Sequence, residues 1–435
     1  MLFYSTAQHS VHVDFATATV LGQPADRGLF FPEEIPVAIP GMPGVDPHWA
    51  TINPPDLWQA ALAPYVGSSL TLPALRELAT HAMDFPVPLK RINDRIFSLE
   101  LFHGPTLAFK DVGARFMSQC LAAFRSDAEK LVTVLVATSG DTGGAVAAGF
   151  WQVPGVEVII LYPSGKVSAV QEQQLTTLGG NVLALEVAGT FDDCQAIVKQ
   201  AFADETLGDR YQLTSANSIN VARWLPQQLY FLQAARVWEQ LFPGEAPVIS
   251  VPSGNFGNIS AGVLAWASGM RVQHFIAACN ANRTVPDFLA TGKYEVRSAV
   301  ATISNAMDVA NPSNFGRLQA ILEARNGGNM LSAVSISDAA TESTIEQVWK
   351  TYGYLLDPHG AVAYRALEDY LDQHPGARGY ILETAHPIKF ADVVEPIIGR
   401  KIPKPLSLAA LEGKEKSAVK MAADYVDFKA FMLAR

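Results

Sequence analysis

From residue 96 onward, short apolar runs alternate with stretches of helical periodicity, and this alternation constrains the fold more than any other feature of the chain. The runs fall at 96–102, 131–138, 156–162, 181–187, 247–252, 273–279, 332–336 and 379–384. Helical spacing is predicted at 110–125, 142–152, 168–178, 191–205, 220–241, 257–269, 338–351 and 358–373. Runs such as Val156-Glu157-Val158-Ile159-Ile160-Leu161 are apolar at almost every position, which suits strands covered on both faces. The alternation therefore predicts an α/β fold of doubly wound, mostly parallel sheets. Ligands of such folds sit where loops leave the carboxyl ends of strands.

At 435 residues the chain exceeds what one core sustains. The expected division is an N-terminal domain or cap over 1–95, a large domain from 96–110 and 225–400, a smaller mobile α/β domain over 111–224, and a helical extension over 401–435. The first segment has a proline-rich loop from 32 to 54 and a helical pattern from 57 to 83, interrupted by Pro64 and Pro73. Apolar residues make up 49% and charged residues 17%, which is ample for packed cores. A net charge of −10 argues against nucleic acid but leaves room for a small anion held by local cations and N–H groups.

Cys120, Cys194 and Cys279 are odd in number and far apart, so neither a disulfide framework nor a CxxC metal motif is expected. His9 and His12 have no companion ligand, and no metal site is expected. The start of the chain lacks a secretory pattern, and the apolar runs are too short to span a bilayer. A reducing cytoplasm is the expected compartment.

Three strand-to-helix junctions can do chemistry. In Phe102-His103-Gly104-Pro105-Thr106-Leu107-Ala108-Phe109-Lys110-Asp111, a lysine opens a helix whose apolar face repeats at Val112, Phe116, Cys120 and Ala123. A lysine there either snorkels to solvent or sits desolvated as a nucleophilic amine. Ala137-Thr138-Ser139-Gly140-Asp141-Thr142-Gly143-Gly144 is either an anion site or a turn in which Asp141 or Thr142 caps the helix. Pro252-Ser253-Gly254-Asn255-Phe256-Gly257-Asn258 has the composition of a phosphate cradle, or of a tight turn. At the end of the last strand, Thr384 could face the edge of a bound ring or cap the next helix, and His386 could be a turn residue. Lys166, Asn217 and Arg223 are candidates for an anionic substrate. An amine beside two anion loops suits an aldehyde cofactor bearing a phosphate, which is pyridoxal phosphate.

The segments HGPTLAFKD (103–111), ATSGDTGGA (137–145), LYPSGKVSAVQEQQ (161–174), NSINVARWLPQ (217–227), SGNFGN (253–258), SNAMDVANPSNFGR (304–317), DPHGAVAYRAL (357–367) and TAHPIKF (384–390) resemble the threonine synthases of the longer bacterial and fungal type. The resemblance implies the tryptophan synthase β-like fold, type II of the pyridoxal-phosphate enzymes. It implies conversion of O-phospho-L-homoserine and water to L-threonine and phosphate by a monomer or homodimer. Carried over by motif, Lys110 is the Schiff-base lysine and Gly254, Asn255, Phe256, Gly257 and Asn258 cradle the cofactor phosphate. Thr384 meets the pyridine nitrogen, while Ser139, Gly140, Asp141 and Thr142 flank the substrate carboxylate and cofactor ring. Lys166, Asn217 and Arg223 face the substrate phosphate. The sequence departs from the family at Ala7-Gln8, at Arg27 and at Arg283.

Overall fold

The computed structural model describes residues 1–9, 11–37, 49–124, 131–411 and 413–435. Residues 38–48 of the expected proline-rich loop, and Arg125 at the end of the helix predicted over 110–125, lie outside the described residues. The strands are β1 (Phe3–Ser5), β2 (Phe30–Pro32), β3 (Leu89–Arg91), β4 (Ile96–Glu100), β5 (Val132–Ala137), β6 (Val156–Pro163), β7 (Val182–Ala188), β8 (Gln212–Ser215), β9 (Val248–Pro252), β10 (His274–Cys279), β11 (Leu331–Ser335), β12 (Gly379–Glu383) and β13 (Val419–Ala422).

Two larger sheets carry the fold. One runs β11-β10-β9-β12-β4-β3 and is parallel except for β3, which pairs antiparallel with β4. The other runs β13-β7-β6-β5-β8 and is parallel throughout. Strands β4, β5, β9 and β12 are buried at every residue, in keeping with their mostly apolar character. One apolar core joins a face of each large sheet to the N-terminal segment through Phe3, Phe15, Val134, Trp224 and Ile249. The other face of the first sheet packs on helices Asp338–Tyr352 and Pro358–Gln373. A third core, around Leu135, Ile159 and Leu185, is closed by Phe428 and Met432 of the C-terminal tail.

Several expectations change in detail. Helix Lys110–Phe124 buries Val112, Phe116 and Cys120 as predicted, but Ala123 is exposed and Leu121 takes the core position. The single helix predicted over 220–241 is three pieces, Val221–Trp224, a 3-10 turn Leu225–Gln227, and Gln228–Leu241. Pro226 supplies no N–H to continue the first piece. The pattern over 57–83 is two helices, Pro54–Val66 and Leu72–Ala82. Pro64 lies inside the first without ending it, and the chain turns instead at Gly67, whose φ is +57°. The tail is more than a helical extension, because β13 pairs with β7. All three thiols are free and buried. No described helix is long and apolar enough to cross a membrane, and no group of three potential metal ligands occurs among the described residues.

Candidate active site

The carboxyl ends of β4, β12 and β9 lie side by side, so the loops after them meet. After β4 the chain makes a tight turn closed by Asp111, which accepts from Thr106 N (2.9 Å) and Thr106 Oγ1 (2.5 Å). A Cβ on Gly104 would stand 2.4 Å from Asp111 Oδ2, so the turn admits no larger residue there. Leu107 adopts φ +60°, a conformation a leucine seldom takes. An isolated bridge pairs Ala108 with Ala385, and Thr384 O accepts from Phe109 N at 2.9 Å. Lys110 and Thr384 are thereby fixed together at the carboxyl ends of two adjacent strands, β4 and β12.

Lys110 leaves 19% of its side chain exposed. Its Nζ stands 4.8 Å over the Phe109 ring and 3.9 Å from Asp141 Oδ2. Desolvation lowers its pKa, Asp141 opposes that shift, and the Lys389 and Arg223 cations reinforce it. The desolvated alternative for this lysine is the one observed.

Asp141 does not cap its helix, Asp141–Phe150. That task falls to Thr138, whose Oγ1 accepts from Gly140 N and Gly143 N, both at 2.9 Å. Asp141 Oδ1 instead meets Lys389 Nζ at 2.7 Å and accepts from Gln171 Nε2 at 3.0 Å. Burial alone would raise this carboxyl, but the Lys389 and Lys110 charges outweigh it and hold the pKa far below the usual range. Gly140, at φ +136°, lies against Gln171 so closely that a Cβ would meet its amide at 2.3 Å. Ser139 and Thr142 flank the turn, both partly exposed.

Lys389 is fully buried and also donates to Thr106 O at 2.8 Å. Sequence reasoning gives it no role, although it lies in a family motif, and does not single out Gln171 either. The available signal is a lysine between Ile388 and Phe390 in an otherwise apolar turn.

The loop after β9 leads into helix Gly257–Ala267, whose N-cap Phe256 is left-handed at φ +59° and offers no side-chain cap. The first N–H groups of that helix are therefore open to an anion. Asn255 Nδ2 donates to Ser218 Oγ at 2.7 Å, and Asn258 Oδ1 accepts from Tyr230 at 2.8 Å. A Cβ on Gly254 would meet Met307 Cα at 2.5 Å.

Thr384 is buried, and its hydroxyl has no partner among the described residues. The turn after it is capped by His386, whose Nδ1 accepts from Ile388 N at 3.1 Å. Burial, and after it His103, push the His386 imidazole down to about 4, so it is neutral and able to accept.

Among the anion candidates, Arg223 is buried beside Lys110, with Nη1 on Ala216 O and Nε unpartnered. Asn217 is half-buried on the loop after β8. Lys166 lies exposed on the loop after β6 and does not join this cluster. Arg283 is a surface residue paired with Asp287 at 2.7 Å.

A desolvated amine, an uncapped helix start and facing loops from two mostly parallel sheets fit a pyridoxal-phosphate-dependent enzyme. The family described as "Pyridoxal-phosphate dependent enzyme" matches residues 80–381, and "Threonine synthase, C-terminal" matches 360–432. Threonine synthase of Serratia marcescens is 43% identical over 410 residues, 94% of each chain. That of Escherichia coli K12 is 41% identical over 438 residues, covering 100% of this chain and 99% of the relative. The crystal structure of the Escherichia coli threonine synthase matches with a TM-score of 0.91 at 41% identity, over 100% of both chains. A pyridoxal-phosphate-bound threonine synthase from Brucella melitensis matches at 0.89 and 31% identity, over 99% of this chain and 98% of that one. This chain belongs to the threonine synthase family. Threonine deaminase isoform 2 of Solanum lycopersicum, with a TM-score of 0.56 at 16% identity over 74% of this chain and 93% of that one, shares the fold alone.

Proposed function

We infer that this chain converts O-phospho-L-homoserine and water to L-threonine and phosphate, with pyridoxal phosphate as cofactor. The observation that carries the reading is Lys110, a desolvated amine beyond the carboxyl end of β4, two strands across from the end of β9 that feeds the anion loop. The residues present fit the cofactor. Lys110 would hold its aldehyde, the turn Gly254–Asn258 and the helix start behind it would hold its phosphate, and the Thr384 hydroxyl would serve its ring nitrogen. When bound, the cofactor supplies an electron sink for the carbanion at Cα.

The chain's own groups do the rest. Lys110 Nζ takes the Cα proton and later returns it. A lysine held below its usual pKa is suited to both tasks at neutral pH. Asp141 and Lys389 fix where that amine stands. Ser139, Gly140 and Thr142 orient the substrate carboxylate. Arg223 and Asn217 stabilise charge on the leaving phosphate, and the exposed Lys166 joins them when the smaller domain, 111–224, closes and excludes water. The reading includes a cap over 1–95, a large domain from 96–110 and 225–400, an extension over 401–435, a cytoplasmic location, and a monomeric or homodimeric enzyme.

Purified protein with pyridoxal phosphate should release phosphate from O-phospho-L-homoserine and form threonine. Formation of a 2-oxo acid from threonine, with no phosphate release, would assign it to the deaminases instead. Arg223→Ala should weaken O-phospho-L-homoserine about tenfold or more relative to a substrate analogue lacking phosphate. Equal losses for the two would remove Arg223 from the phosphate site.

A further inference from the structure

Arg317 is fully buried, yet no carboxylate pairs with it among the described residues. Its donors go to neutral groups. Nε and Nη2 reach Phe30 O at 3.2 and 2.9 Å, and Nη2 also reaches Ile219 O at 2.7 Å. Nη1 reaches Ser218 O at 3.0 Å and Asn314 Oδ1 at 2.9 Å. The guanidinium stacks 4.5 Å over the Trp224 ring. A buried cation without a counter-ion is costly, and carbonyl dipoles offset only part of that cost.

The contacts of Arg317 also fix a polarity. Because Asn314 Oδ1 accepts from Arg317, its Nδ2 must point the other way, and it donates to Ser218 Oγ at 3.0 Å and Asn255 O at 3.2 Å. Asn255 is oriented in the same manner. Its Oδ1 accepts from Ser313 N at 2.7 Å, so its Nδ2 donates to Ser218 Oγ at 2.7 Å. Ser218 Oγ thus receives two amide donors, which occupy both its lone pairs, and its proton is left to be donated. No described residue accepts it. The same oxygen stands 3.4 Å from where a Cβ on Gly257 would lie, against the start of the uncapped helix.

We propose that Ser218 is a further ligand of the cofactor phosphate, donating its hydroxyl proton to a phosphate oxygen, and that Arg317 is the positioning residue behind it, orienting Asn314 and supplying the counter-charge. The proposal rests on the pyridoxal-phosphate reading above. It adds a side-chain donor to a cradle otherwise made of the turn's own groups.

The test compares pyridoxal phosphate with pyridoxal, which lacks only the phosphate. The full-length protein, freed of cofactor, is titrated with each and the bound chromophore is followed. Ser218→Ala should weaken pyridoxal phosphate about tenfold, the scale of one hydrogen bond to a charged group, and pyridoxal less than about twofold. Arg317→Met should show the same selectivity with a larger loss, and Arg317→Lys should recover part of it. Equal weakening of both compounds, or an unchanged affinity in Ser218→Ala, would overturn the proposal. Should Arg317→Met fail to fold, Ser218→Ala decides the question alone, since it removes one oxygen atom from a half-buried site. A wild-type protein that does not prefer pyridoxal phosphate over pyridoxal would instead defeat the underlying cofactor reading.

Discussion

Asp141 divides its two oxygens unequally between two lysines, with Oδ1 at 2.7 Å from Lys389 and Oδ2 at 3.9 Å from Lys110. The closer lysine is sealed in and remains the counter-ion, and the farther one is left poorly compensated. Lys389→Met would remove a like charge that depresses Lys110 and would free Asp141 to pair with Lys110. Both changes favour the Lys110 ammonium, so its pKa should rise. The acid limb of the activity profile is expected to move to higher pH, with turnover down about tenfold or more, because a buried carboxylate has lost its partner. An unshifted limb would show that Lys389 does not act on Lys110. His386 offers a second titration. Its imidazole is near 4 in the folded chain, against about 6.5 when unfolded. Below pH 6.5 the unfolded chain therefore binds a proton that the folded one does not. Stability is full above about 6.5 and is lost as pH falls toward 4. His386→Asn keeps a cap acceptor but does not titrate, so its unfolding free energy from denaturant titrations should fall less over this window, by about 3 kcal/mol at the acid end. Parallel curves for the two proteins would contradict the assignment.

At the scale of elements, β13 and helix Tyr425–Leu433 close the second sheet, although they come last in the chain. Phe428 and Met432 fill the space over Leu185 and Cys194. Phe428→Ala should cost about 3–5 kcal/mol. The loss should appear as faster amide hydrogen exchange in β6 and β7, with β9 and β12 little changed; uniform acceleration would argue against a separate core. Eight of the ten strands from residue 96 onward were legible because parallel strands between layers of helices carry mostly apolar runs. Strand β8, Gln-Leu-Thr-Ser, and strand β13, Val-Lys-Met-Ala, were not, since edge positions tolerate polar residues and are too short to show a period. The break at Pro226 was written in the sequence and overridden by the apolar periodicity around it. Lys110 and the two glycine turns could be read locally, because each sits in its own strand–turn–helix unit. Lys389 could not, since its meaning lies in a carboxylate from the other sheet. Nor could Arg317, whose partners come from segments near residues 30, 218 and 314.

For the molecule as a whole, the crevice is shared between the two sheets. Lys110, Thr384, Lys389 and the Gly254–Asn258 turn come from the first, while Asp141, Gln171, Ser218 and Arg223 belong to the second or to its loops. Contacts between the two include Lys389 to Asp141, beside Lys110, and Asn255 to Ser218, beside the anion turn. The most direct measurement is to reduce the protein with borohydride in the presence of pyridoxal phosphate and locate the modified peptide by mass spectrometry. The expected adduct is on Lys110, and Lys110→Ala should abolish both the adduct and turnover. An adduct on Lys389 with Lys110 unmodified, or no adduct in a protein that still releases phosphate, would contradict the account.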